Sequence, residues 1–125
     1  EMPRPFDVPA KGSVDYQWVV VPLALPEDRW VTAYEVQPGD RSVVHHVIAF
    51  LRAPGSKWLA DAQPGVPVPK GSQENEGGQA TGLIAGYVPG FPGAAFPEGY
   101  AMKLPAGSDI VLQLHYTTNG KAVQD

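Results

Sequence analysis

Ser42-Val43-Val44-His45-His46-Val47-Ile48-Ala49-Phe50-Leu51 is the stretch on which the fold turns. β-Branched and aromatic residues dominate it, as strands favour. Both of its alternate faces are apolar, which predicts a central strand, roughly Ser42 to Arg52, covered on both sides. The same stretch holds two of the chain's three histidines. The third, His115, sits in a second apolar run, Asp109-Ile110-Val111-Leu112-Gln113-Leu114-His115-Tyr116. A chain that confines its imidazoles to two hydrophobic strands either hides them in a core or gathers them around something. Imidazole is the commonest side-chain metal ligand, and three suffice for a copper or zinc site.

Further strands lie to either side. Val14 to Leu25 is rich in Val, Tyr and Trp and reads as a strand, with Pro22 marking an edge or bulge. Arg29 to Val36 reads as another, with Trp30, Thr32, Tyr34 and Val36 on one face. Gln37-Pro38-Gly39-Asp40 has Pro and Gly at the central positions of a type II turn. Residues 1–12 form an irregular, Pro-rich lead-in. Residues 53–81 form a long loop with little periodicity, in which Trp58-Leu59 opens one helical turn; long loops of this kind are often functional. Strand signals resume at Gly82 to Val88 and at Tyr100 to Leu104, and Pro89-Gly90-Phe91-Pro92-Gly93 is a turn cluster. Six or so strands separated by turns point to a single all-β domain over residues 1–125, an antiparallel β-sandwich.

Composition agrees. Fourteen glycines and fourteen prolines in 125 residues favour short strands over long helices. A net charge of −4 without a basic stripe argues against nucleic acid as a partner. No window is apolar enough for a membrane helix. With no cysteine, disulfides, thiolate chemistry and Cys-type metal sites are excluded. Glu1 in first place and the polar stop at Asp125 read as processing or cut boundaries.

Geometry constrains the histidines. Adjacent residues of a regular strand point to opposite faces, so His45 and His46 reach one ion only if the backbone is bulged or twisted, or if they bind through different ring nitrogens. His115 shares a face with Val111, Gln113 and Thr117, the more polar face of its strand. An apolar setting favours neutral imidazole, the form that binds metal and also the form that sits buried in a core.

Other groupings are less pointed. Asp7, Asp15, Glu27, Asp28, Glu35 and Asp40 contain possible acid and nucleophile pairs for glycoside hydrolysis, but no spacing singles one out. Gly77-Gly78 and the Gly86, Gly90 and Gly93 series are turn glycines, since no Gly-Lys-Ser/Thr follows. Trp58, Phe91 and Phe96 suit either a carbohydrate platform or a cap on the sandwich core.

The words His45-His46-Val47-Ile48 with Ala49-Phe50-Leu51, Gly86-Tyr87-Val88-Pro89-Gly90, Phe96-Pro97-Glu98-Gly99-Tyr100 and Val111-Leu112-Gln113-Leu114-His115-Tyr116 change the balance. In this order and spacing, from about Val31 to Tyr116, they resemble the N-terminal domain of the type II copper, ascorbate-dependent monooxygenases. This is the family of peptidylglycine α-hydroxylating monooxygenase and dopamine β-monooxygenase. The resemblance implies a jelly-roll-like β-sandwich. It implies His45, His46 and His115 as ligands of one electron-transfer copper, ascorbate as the external reductant, and a secreted or periplasmic location. Gln113 and Tyr116 are then candidates for hydrogen bonds to the metal-bound rings.

Two departures matter. Animal members of the family have disulfides, which a cysteine-free chain lacks. The family's second copper is held by a His-x-His pair and a Met in a C-terminal domain. No His-x-His occurs here; Met2 is terminal and Met102 reads as packing. The catalytic domain is therefore expected outside this chain, which alone would not complete a hydroxylation. Two other readings remain: a non-catalytic carbohydrate- or protein-binding module with buried histidines, and a zinc hydrolase with Glu35 or Asp40 as general base.

Overall fold

The structure is a computed structural model that describes residues 2–70 and 80–125. It is all-β, built from antiparallel pairings, in the β-sandwich class that the sequence predicts. Among the described residues eleven strands follow one another: β1 (Asp7–Val8), β2 (Gln17–Pro22), β3 (Arg29–Val31), β4 (Ala33–Glu35), β5 (Val44–Arg52), β6 (Val68–Pro69), β7 (Ala80–Tyr87), β8 (Gly93–Ala95), β9 (Met102–Leu104), β10 (Asp109–Tyr116) and β11 (Val123–Gln124). Five of them make the main sheet, in the order β6-β2-β10-β5-β7. The two histidine strands are thus neighbours, and both are interior to the sheet.

Interior strands must satisfy two faces. On one face Val19, Val44, Val47, Leu114 and Tyr116 are buried with Val8, Val43 and Tyr87, and Phe6, Val36 and Val123 pack against them. On the other, Trp18, Val20 and Val111 are buried under Trp58 and Leu59, with Phe50 alongside. Trp18, Phe50 and Trp58 meet edge to face, at centroid separations of 5.3 to 6.1 Å, a favoured aromatic geometry.

The stretch of loop carrying Trp58 and Leu59 is pinned by one side chain. Arg52, at the end of β5, donates through Nη1 to the carbonyls of Trp58 (3.0 Å) and Leu59 (3.1 Å). Its Nε and Nη2 go to the carboxylate of Asp109 on β10. One guanidinium fork therefore ties two strands to the loop, using the fixed donor geometry that Arg offers. Trp58-Leu59 begins a series of turns rather than the expected helical turn: Ala60 N–H donates to Lys57 O and Ala62 N–H to Leu59 O. Leu59 has φ +54°, which ends any helical path there. The long loop also contributes β6, so its extent is shorter than periodicity suggests.

Three other expectations shift. The run from Arg29 to Val36 splits into β3, paired with β9, and β4, paired with β8. The lead-in contains β1, which pairs with β11 and buries Val8. Pro38-Gly39 is not a type II turn, because Gly39 lacks the positive φ such a turn needs at its third position. The bend comes later, where Val43 and Val44 N–H both donate to Asp40 O. Gly39 answers a different demand: a Cβ there would lie 3.1 Å from the carboxylate of Asp125. The Pro-Gly turn occurs instead at Pro89-Gly90, where Gly90 has φ +88° and Val88 and Phe91 bridge.

Asp125 closes the first core. Its carboxylate accepts from the Tyr116 hydroxyl (2.8 Å) and from Asp40 N–H (2.6 Å). Its backbone exchanges two hydrogen bonds with Phe6, whose ring stacks on Tyr116 at 4.9 Å. Burial, then the nearby Asp125 carboxylate, push the Tyr116 phenol well above its ordinary value. A raised folded-state pKa gives stability that is whole below the unfolded value near 10 and is lost as pH rises past it. Tyr116→Phe should cost about 1–3 kcal/mol in chemical denaturation at pH 7. It should also flatten the loss of stability above about pH 10 that the wild type shows; an unchanged alkaline limb would refute this account of the closure.

Candidate metal centre

β5 and β10 pair antiparallel, Leu114 against Val47 and His115 against His46. The next pair is Tyr116 against Val44, so the register slips and His45 is the extra residue. This is a β-bulge, one of the routes by which adjacent histidines can reach one ion. It turns the His45 side chain toward the side on which His46 and His115 stand, directly opposite each other.

The result is a tight group. The Nδ1 atoms of His45 and His46 lie 3.2 Å apart, and those of His46 and His115 3.4 Å apart. One ligand atom from each of the three lies within 4.8 Å of the others. Nitrogens at about 2.0–2.1 Å from a common ion in trigonal or tetrahedral array are separated by about 3.3–3.6 Å. The two shorter contacts match that spacing. The rings are mutually tilted by 64°, 65° and 67°, like blades round a shared axis. A neutral Nδ1 carries either one proton or one lone pair. His46 Nδ1, approached from both sides, is served better by a shared cation than by two hydrogen bonds.

His45 is exposed, while His46 and His115 are half-buried. The group sits at an open end of the face whose middle is sealed by Trp58. Along β10 that face carries Val111, Gln113 and His115, and Val111 is fully buried. The expected polar face is therefore polar only toward its histidine end. Partial burial first, and the charges of His46 and His45 second, lower the pKa of His115 below its ordinary value. The shift favours the neutral imidazole, the form that can ligate a metal.

Of the two residues expected to support the rings, neither bonds to one. Tyr116 is on the opposite side of β10, in the first core, and its hydroxyl is taken by Asp125. That corrects its expected role: alternation along the strand sends it away from His115. Gln113 shares the histidine face but, among the described residues, has no hydrogen bond to an imidazole. His46 Nε2 is buried with no hydrogen-bond partner among the described residues.

The other candidates disperse. Among the described residues no carboxylate joins the histidine group within the same reach. Asp40 receives Ser42 N–H at 2.8 Å, and hydrogen bonds from Ser42, side chain before backbone, hold its carboxyl below the ordinary value. Glu35 is on β4, outside the main sheet. Trp58 is buried, which removes it from any carbohydrate platform, whereas Phe91 is exposed. Gly93 is there for space: a Cβ would stand 2.2 Å from Tyr34 O. Gly77-Gly78 lies outside the described residues. Sequence reasoning missed Tyr16, whose ring stacks on His115. Its place two residues before Trp18, on the same face of β2, was the available signal.

Comparison with protein-family models and with curated proteins returns no match.

A lowered imidazole pKa makes protonation of His115 unfavourable to the fold. The metal-free protein is therefore expected to lose stability as pH falls below about 6.5, where the unfolded chain begins to take up the proton first. NMR titration should show His115 titrating below that value; titration at or above it would contradict the crowding of three imidazoles.

Proposed function

We propose that the chain is a mononuclear copper-binding, electron-transfer domain of a monooxygenase-like protein. The observation that carries this is the grouping of His45, His46 and His115: two Nδ1 separations, 3.2 and 3.4 Å, are close to the spacing of two ligands on one ion, and each residue offers a ligand atom within 4.8 Å of the others. The donor set suits copper: imidazole binds it well, and the chain has no thiolate to direct it elsewhere. A copper ion held there would accept one electron from a small reductant, ascorbate in the family resembled, and release it to an acceptor.

The chain's own residues do the rest. The β5–β10 pairing presets the positions of His46 and His115, so binding demands little rearrangement. The bulge leaves His45 on the solvent side, where a reductant has access. The acceptor in this reading is a second copper in a partner domain, which supplies a Met and the His-x-His pair that this sequence lacks. The zinc-hydrolase reading is less well supported, because Asp40 is engaged by Ser42 and neither it nor Glu35 joins the histidine group. An interaction module with structural histidines draws on Phe91, Trp30 and Tyr100, all exposed. It leaves the gathering of three imidazoles without a purpose.

Copper titration of metal-free protein is expected to saturate at one ion per chain. Replacing His46 or His115 by Ala should weaken binding by more than the roughly 10–100-fold that loss of an outer hydrogen bond causes. Wild-type protein that takes up no stoichiometric copper would overturn the proposal. Ascorbate in excess should abolish the Cu(II) electron paramagnetic resonance signal; persistence of that signal would leave a copper site without an electron-transfer role.

A further inference from the structure

Tyr16 stands one residue ahead of β2 and extends the face that carries Trp18 and Val20. Since Leu114 pairs with Gln17, the residue before Gln17 falls beside His115. The Tyr16 and His115 rings lie 4.4 Å apart and within 19° of parallel. The same phenol ring is 5.7 Å from that of His46. Tyr16 belongs to neither buried cluster, so packing of the core does not explain an aromatic there.

A cation stands over the same ring. The Lys70 ammonium is 5.4 Å from its centre, within the range of a cation–π contact. Its place is built in: β6 pairs Pro69 with Gln17, and Lys70 N–H donates to Tyr16 O at 2.7 Å. Among the described residues Lys70 makes no ion pair, so its charge is not cancelled by one of them.

We infer that Lys70, Tyr16 and His115 form a column that tunes the metal centre. Tyr16 is a positioning residue that fixes the plane of the His115 ring, and Lys70 favours the lower charge state of the bound ion. The inference rests on the metal-centre reading above. Metal-bound imidazoles are usually oriented by a hydrogen bond from their second nitrogen; here a stacked ring takes that part. A positive charge near a redox ion stabilises the reduced, less positive state, by an amount that falls with solvent exposure and salt.

The test uses the copper-loaded chain and four variants. Tyr16→Phe should keep the wild-type Cu(II) paramagnetic spectrum, whereas Tyr16→Leu should change its hyperfine pattern, because the His115 ring is free to turn. Lys70→Gln should leave that spectrum and the one-ion stoichiometry intact. It should lower the ratio of Cu(I) to Cu(II) affinity by about two- to fivefold, which is about 20–40 mV for a one-electron couple. Lys70→Glu should shift the ratio further in the same direction, and added salt should shrink both shifts. A wild-type spectrum in Tyr16→Leu, or unchanged ratios in both Lys70 variants, would overturn the column. Should Tyr16→Leu fail to fold, the exposed Lys70 pair still decides. If the wild type binds no copper, the metal-centre reading itself falls; if it binds copper and the variants match it, the column alone falls.

Discussion

Everything at the candidate site depends on how β5 and β10 are zipped together. Antiparallel pairing sets His46 opposite His115, and a single unmatched residue adds His45 to them. Neither strand could do this alone. In a regular ladder, alternation would send His45 and His46 to opposite faces of the sheet. The slip between His115 and Tyr116 breaks that rule at one point and nowhere else along this pair. Both strands are interior, flanked by β2 and β7, and the irregularity lies just past the ends of both flanking ladders, at Leu114–Gln17 and Val47–Tyr87.

The sheet divides its two faces between different tasks. One is wholly structural, with Tyr116, Phe6 and Asp125 closing a core of valines. The other is structural in the middle and chemical at one end. Trp58 and Leu59, held by Arg52, cover Trp18 and Val111. Beyond that cover the same face continues as Tyr16, His46 and His115. The histidines therefore sit on a rigid, well-packed support while remaining open to small molecules, the arrangement in which site geometry is best defended.

Much of this was legible in the residues. The Val44–Arg52 and Asp109–Tyr116 strands announce themselves through apolar runs rich in β-branched residues, and a bulge is one of the routes by which two adjacent histidines can reach one ion. What periodicity does not carry is pairing. The sequence does not say that β2 lies against β10, so Tyr16 looks like one more strand aromatic. Nor does it say which Pro-Gly word makes a type II turn, because Pro38-Gly39 and Pro89-Gly90 look alike; only contact with Asp125 distinguishes the first. Two-residue strands such as β1 and β6 were invisible for the same reason: a stretch that short is extended only because a partner holds it. Tyr116 follows His115 directly, yet strand alternation carries it to the opposite face, where it is a packing residue of the first core.

The one-residue slip also determines which kinds of change the centre can absorb. A substitution at a neighbouring position alters one contact and leaves the ladder in step. Loss of Val44 would be different in kind. It would restore a perfect ladder, a locally more regular sheet, and in doing so would send one imidazole to the far face. For this segment of chain, length is a stricter inheritance than composition: the centre would be erased by the very event that makes the strand ideal.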